Sequence, residues 1–330
     1  MNTNLLPFEN LTRTVIVKRK ADSDPKYGGD PDNRSILELI NYGIINIDKP
    51  KGPTSHQVSD YLQKILKINK AGHSGTLDPK VTGVLPIATG RATRIVETLL
   101  KSGKEYVGIM HLHKETSEKA LMKVVKEFTG RIKQLPPIKS AVKREERYRK
   151  IYYLEILEFD GKDALFRVGC QAGTYIRKLC HDIGKRIGCG ANMAELRRTK
   201  AGPFKEENLI TLHDLTDAFW YFKNEDNEKY LRKVILPIEN AVSHLAKIWV
   251  LDSTVDSVCH GSDLKVPGIA RFESDIQPED RVAIMTLKNE LVALGESVMT
   301  SSEIMKKDKG IVIKVNKVFM LPGTYPKVQK

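Results

Sequence analysis

Residues 71–90, AGHSGTLDPKVTGVLPIATG, set Gly72, Gly75, Gly83 and Gly90 with Pro79 and Pro86 around a single acid, Asp78. His73 stands five residues before it. Glycine lets backbone come close to a ligand, and proline stiffens the path. A carboxylate held in such a loop can act as a nucleophile, a base or a stabiliser of developing positive charge. An Asp before Pro also serves in ordinary turns, so the surroundings decide between these readings. Hydrolysis of a glycosidic bond is disfavoured, because it normally needs two working carboxylates and the loop has one. The four cysteines form no C-x-x-C pair, which argues against a zinc cluster and fits reduced thiols in a cytosolic protein.

The flanking elements would have to hold this loop. Gly43-Ile44-Ile45-Asn46-Ile47 reads as a short apolar strand, broken by Asp48-Lys49-Pro50-Lys51-Gly52-Pro53. Thr54 or Ser55 caps the next helix, in which Val58, Tyr61, Leu62, Ile65 and Leu66 fall at helical spacing. Residues 71–90 read as a glycine-rich loop, followed by a second short helix through Ile95, Val96, Leu99 and Leu100. Residues 105–113 alternate as a strand, and 117–130 form an amphipathic helix stopped by Gly130. Two strands, 152–159 and 164–170, meet at an Asp160-Gly161 turn. A helix starts near Thr174 with Ile176, Leu179, Cys180 and Ile183 as its buried stripe, and Arg177 beside it. Residues 208–246 look helical. Beyond Ile248 the pattern changes to short strands, including a hairpin of 282–287 with 291–294. Helices mixed with hairpin-joined strands predict an α+β fold, with a mixed-sheet main domain and a small, barrel-like β domain at the C-terminus.

With 330 residues, of which 41% are hydrophobic and 29% charged, the chain has enough apolar material for two domains without staples. Lys and Arg number 54 against 41 acids, a formal charge of +13, which favours a polyanionic partner. The excess is clustered. Residues 131–150 hold eight Lys or Arg and two acids, with Tyr148 and two prolines among them. Such patches attract phosphates by counterion release. The N-terminus lacks the apolar core of a signal peptide, and no 18-residue apolar run suggests a membrane span.

GHSGTLDPKVTGVLPIATGRATR closely resembles the catalytic-loop motif of the TruB and dyskerin family of RNA pseudouridine synthases. The resemblance extends to GIINIDKPKGPTSHQV at 43–58, KEYVG at 104–108, GCQAGTYIRKLCHDIG at 169–184 and LRRTKAGPF at 196–204. Within the family the chain looks most like the archaeal dyskerin type, and its C-terminal part like an RNA-binding PUA domain. The resemblance implies an arm at 1–35 packing on the PUA domain, a catalytic domain at 36–246 and the PUA domain at 247–330. It implies that Asp78 attacks a flipped uridine or its ribose, or deprotonates the ribose. Tyr106 would stack on the base and remove the C5 proton, and Arg177 would pair with the carboxylate. Ile176, His73 and Tyr175 would line the pocket. Lys49 would buttress the site and belong to the RNA contacts, with Arg144, Arg147, Lys265, His260 and Gly261.

What the resemblance implies beyond the chain is a guide RNA, a target RNA and three partner proteins: a small zinc-ribbon protein, a glycine-arginine-rich-type β-barrel protein and a kink-turn binder. It implies no cofactor, no metal, no membrane and an archaeal cytoplasm. Two other readings stand beside it. One is a stand-alone tRNA pseudouridine synthase, for which the C-terminal β domain is fuller than expected. The other is a non-catalytic RNA-binding scaffold, which explains the charge but not the company of Asp78, Tyr106 and Arg177.

Overall fold

Local signals define the helices around the loop. Thr54 and Gln57 form a reciprocal capping box, and the helix Ser55–Leu66 buries Val58, Leu62 and Leu66 before ending at a left-handed Lys67. Ser117 caps Glu118–Glu127, and Gly188 terminates Ile176–Ile187 in the left-handed conformation. Asp160 accepts the N–H groups of Lys162 and Asp163, closing the turn between the strands Arg147–Phe159 and Asp163–Cys170. The computed structural model describes residues 4–136, 143 and 145–327, and they divide into two units.

The first unit holds the described residues of 45–89 and 95–234, together with 4–10. Its mixed sheet runs in the order Gly43–Lys49, Thr82–Thr89, Ala191–Ala201, Lys104–Leu112, Asp163–Cys170, Arg147–Phe159, Gly130–Gln134. Thr82–Thr89 lies parallel to Ala191–Ala201, which pairs antiparallel with Lys104–Leu112. Leu121 and Val125 of one helix and Ile176, Leu179, Cys180 and Ile183 of another pack with Met110, Phe166 and Val168 of the sheet.

Two expectations change here, and one strand is added. Residues 71–90 are not one loop. Ala71–His73 and Thr82–Thr89 pair as strands, leaving only 74–81 irregular. VLPIA reads as loop because Gly83 and Pro86 interrupt a strand whose residues 83–89 are all buried, so no alternation appears. Ala191–Ala201, rich in charge, is an internal strand. The helical reading of 208–246 holds for Leu212–Glu225 and Lys229–Val234; a short strand, Leu236–Pro237, follows, and a new strand starts at Ala246.

The second unit holds residues 11–44, 90–94 and from 235 onward. Its sheet order is Val15–Val17, Ile269–Glu273, Ala246–Val250, Arg281–Met285, Leu291–Ser297, Ile311–Val318, Leu264–Lys265. Ile248, Phe272, Ile284, Val292, Val312 and Ile313 lie in its core. The N-terminal arm supplies an edge strand through Val15–Val17 against Arg271–Glu273. Lys288 donates to the Asp24 and Tyr27 carbonyls, fastening the arm further. Residues 4–10 belong to the first unit instead, where Glu9 pairs with Lys200 and Lys205.

Candidate active site

Asp78 projects from the irregular segment 74–81, and its neighbours are clamped from two sides. The buried Ser55 hydroxyl accepts the Leu77 N–H at 2.8 Å and donates to the Leu77 carbonyl at 3.2 Å. On the other side the Pro79 carbonyl accepts the Gly52 N–H at 2.9 Å. Lys49, with none of its surface exposed, donates to the carbonyls of Pro50 (2.9 Å), Pro79 (3.3 Å) and Val81 (2.9 Å). Leu77 and Val81 are buried in the same apolar cluster as Ile176. The carboxylate between them remains 52% exposed.

Lys49 is therefore no RNA contact. All three of its protons go to backbone, and no phosphate can reach it. Burial pushes its pKa down, and the Asp78 charge partly offsets this. Its buttressing role, by contrast, matches the geometry. Lys49→Met strands three carbonyls, and the expected cost is about 2–4 kcal/mol. The measurement is the thermal midpoint by circular dichroism; a variant as stable as the parent would disprove the clamp.

Arg177 is the second residue of Ile176–Ile187, so Ile176 points into the core while the guanidinium turns outward. Its Nη2 donates to Oδ2 of Asp78. The pair is made through this single contact rather than a two-pronged one. The start of the helix is held by Gln134, which the sequence reading missed. Its Oε1 accepts the Tyr175 N–H at 3.0 Å and its Nε2 donates to the Tyr175 carbonyl at 3.2 Å.

Tyr106 lies in Lys104–Leu112 and packs against the cluster containing Leu77, Val81 and Ile176. Burial raises its phenol pKa, the Arg198 guanidinium at its hydroxyl opposes this, and the Asp78 charge adds a smaller upward push. Asp78, Tyr106, Ile176 and Arg177 thus gather at one place from three segments of chain. Arg198 is a second residue the sequence reading missed, because its neighbours are charged and it resembles surface.

His73 ends the strand Ala71–His73, where its Nδ1 accepts the Gly75 N–H at 3.4 Å and its ring meets His56 edge-on at 4.8 Å. Burial, then His56 and Arg198, push its pKa down to about 4. An unfolded histidine titrates near 6.5. Between those values the unfolded chain binds the extra proton, so stability falls as pH drops from about 6.5 towards about 4. His73→Gln should flatten the slope of thermal midpoint against pH in that window and leave it unchanged at pH 8. An unaltered slope would refute the assignment.

The remaining RNA candidates sit apart in sequence. Arg147 opens the strand Arg147–Phe159, and Arg144 lies outside the described residues. In the second unit, His260 and Gly261 follow the helix Asp252–Cys259 and are exposed, as is Lys265. The His260 imidazole rests on the Asp256 carbonyl at 2.8 Å, and Gly261 is left-handed with open space where a side chain would stand.

Such an arrangement can place one carboxylate, oriented by a guanidinium, beside a flat ring fit for stacking a base. The chain resembles known proteins along nearly its whole length. Residues 63–176 match the model of the TruB family pseudouridylate synthase N-terminal domain, and 177–243 that of the tRNA pseudouridylate synthase B C-terminal domain. Residues 246–319 match the PUA domain and 4–59 the DKCLD domain. A protein of Methanopyrus kandleri named probable tRNA pseudouridine synthase B is 56% identical, over 98% of this chain and 95% of its own. The similarly named protein of Pyrococcus furiosus is 54% identical, over 98% and 96%. Among solved structures, a Cbf5-Nop10-Gar1 complex aligns at TM-score 0.93 and 55% identity, covering 99% of both chains. An H/ACA ribonucleoprotein bound to a substrate RNA containing 2′-deoxyuridine aligns at TM-score 0.92 and 52% identity, covering 99% and 100%. With full-length relatives this similar and the catalytic-loop segment inside the matched region, the chain belongs to the TruB family of pseudouridylate synthases.

Proposed function

We propose that this pseudouridine synthase is the catalytic subunit of a guide-directed H/ACA particle, converting chosen uridines of rRNA or tRNA. The observation that carries the catalytic reading is the Asp78–Arg177 pair beside Tyr106. The particle reading draws on likeness along the whole chain to proteins solved with Nop10, with Gar1 and with substrate RNA. By the same reading, a zinc-ribbon protein, a glycine-arginine-rich-type β-barrel protein and a kink-turn binder complete the particle, in an archaeal cytoplasm.

The reaction breaks the N1–C1′ bond, turns the base and joins C5 to C1′. The nucleotide must first leave its stack, which costs a few kcal/mol, least where it is unpaired. Stacking on Tyr106 returns about 1–3 kcal/mol. Positive charge develops at C1′ as the base departs, and the Asp78 carboxylate meets it. Asp78 acts by attack at C1′, by attack at C6 or by removing a ribose proton. Ile176 closes the pocket floor against water. The C5 proton then leaves, with the Tyr106 oxygen as its acceptor. The sum is an isomerisation in which no electrons are gained or lost.

Base pairing with a guide would choose the target, while the protein reads backbone and shape. The experiment is derivatisation and mass spectrometry of target RNA after incubation with the reconstituted particle, with and without guide. Pseudouridine appearing only with guide is the expected result. Equal conversion without guide would overturn the guided reading. The relatives' names favour a second activity on bare tRNA. Bare tRNA assayed in parallel decides it.

A further inference from the structure

The Arg198 guanidinium is 1% exposed, and no carboxylate pairs with it among the described residues. Burying an unpaired cation is costly, so its neighbours matter. Nε donates to the Val84 carbonyl at 2.7 Å and Nη2 to the Gly75 carbonyl at 3.2 Å. Its Cα lies directly across the ladder from that of Tyr106, and its side chain interacts with the Tyr106 hydroxyl. Gly83 allows this strand to sit so close: a Cβ there would lie 2.2 Å from the Arg198 carbonyl. The side chain thus joins the Asp78 loop, through Gly75, to the Tyr106 hydroxyl.

We propose that Arg198 is a positioning residue that fixes the Tyr106 oxygen and offsets its negative charge until that oxygen takes the C5 proton. The inference rests on the pseudouridine reading above. In the step concerned, the C5–H bond breaks and its electron pair restores the C5–C6 double bond of the rotated uracil, while the C6–N1 double-bond pair returns to N1, which takes a proton from water. Burial keeps the resting Tyr106 a phenol; it releases that proton to water to reach the phenolate, whose oxygen then takes the C5 proton and is restored to the phenol. Arg198 keeps all its protons throughout. The same positive charge also depresses His73, Lys49 and Lys104, as expected for a cation that the protein leaves uncompensated.

The test uses the reconstituted particle with Arg198→Gln and Arg198→Lys, in single turnover on three target RNAs: uridine, 5-deuterouridine and 5-fluorouridine. The fluorinated base can rearrange but has no C5 proton to lose. Arg198→Gln should slow uridine conversion about 100-fold, show a larger deuterium effect than the parent, and rearrange 5-fluorouridine at nearly the parental rate. Its rate on uridine should need a higher pH to recover. Arg198→Lys, which keeps the charge, should fall between. Equal slowing on uridine and 5-fluorouridine, with no gain in the deuterium effect, would overturn the proposal and leave Arg198 a loop tether only. Unchanged conversion would overturn it as well. Should the Gln variant fail to fold, the same comparison in Arg198→Lys decides, on a smaller scale. A parental particle inactive on uridine defeats the activity reading itself, and this inference with it.

Discussion

Asp78→Asn is expected to abolish pseudouridine formation, by at least about 10⁴-fold, while the particle binds guide and target RNA nearly as before. Asn keeps the size and shape of Asp and removes only the charge. The loop should survive, because its clamps use the Ser55 hydroxyl, the Lys49 ammonium and the Gly52 N–H on the carbonyls and N–H groups beside residue 78. Arg177 would lose its anionic partner, but its helix is anchored by Ile176 and Gln134. A nucleotide docked on the half-exposed carboxylate would enclose it, and its charge would then act in a medium of lower dielectric. Single-turnover conversion and filter-binding affinity, measured on the same preparation, separate the outcomes. Surviving conversion would remove Asp78 from the chemistry. Lost binding with lost conversion would favour the scaffold reading, in which residue 78 matters only to RNA docking.

Arg177→Met should lower the single-turnover rate about 10²–10³-fold, with little change in RNA affinity or melting temperature. The guanidinium is largely exposed and meets Asp78 through one contact, so the pair adds little to stability. Its worth is in holding the carboxylate at one angle. Arg177→Lys keeps the charge but loses the rigid planar fork, so it should recover part of the rate. If Met and Lys lose the same amount, charge is irrelevant and only the side-chain shape counts. A variant with parental rate would place the pair outside the reaction.

Asp78, Tyr106 and Arg177 were legible because their motifs are local: each short block keeps its residue types and spacing whatever the rest of the chain does. The capped helix Ser55–Leu66 and the turn at Asp160-Gly161 were legible for the same reason, since caps and turns are written in adjacent residues. The strand Thr82–Thr89 was not, because burial on both faces removes the alternation that marks a strand. Nor was the two-way division of the N-terminal arm, with 11–34 in one unit and 4–10 in the other, since nothing in a polar, irregular stretch says which surface it follows.

The amino-acid order alone pointed to the residues proposed to carry the chemistry, and set their charge balance and the class of reaction they suit. Only the tertiary structure decided which charges face water. Lys49 stands among the expected RNA contacts and Arg198 has no expected role, yet both are buried against carbonyls. The cost of burying a cation is met by partners as far away as Val81 and Val84, and no local pattern records partners that distant. The positive field on Tyr106 and His73 therefore belongs to the fold. It arises where strands brought together from residues 82–89, 104–112 and 191–201 leave one guanidinium beside a hydroxyl.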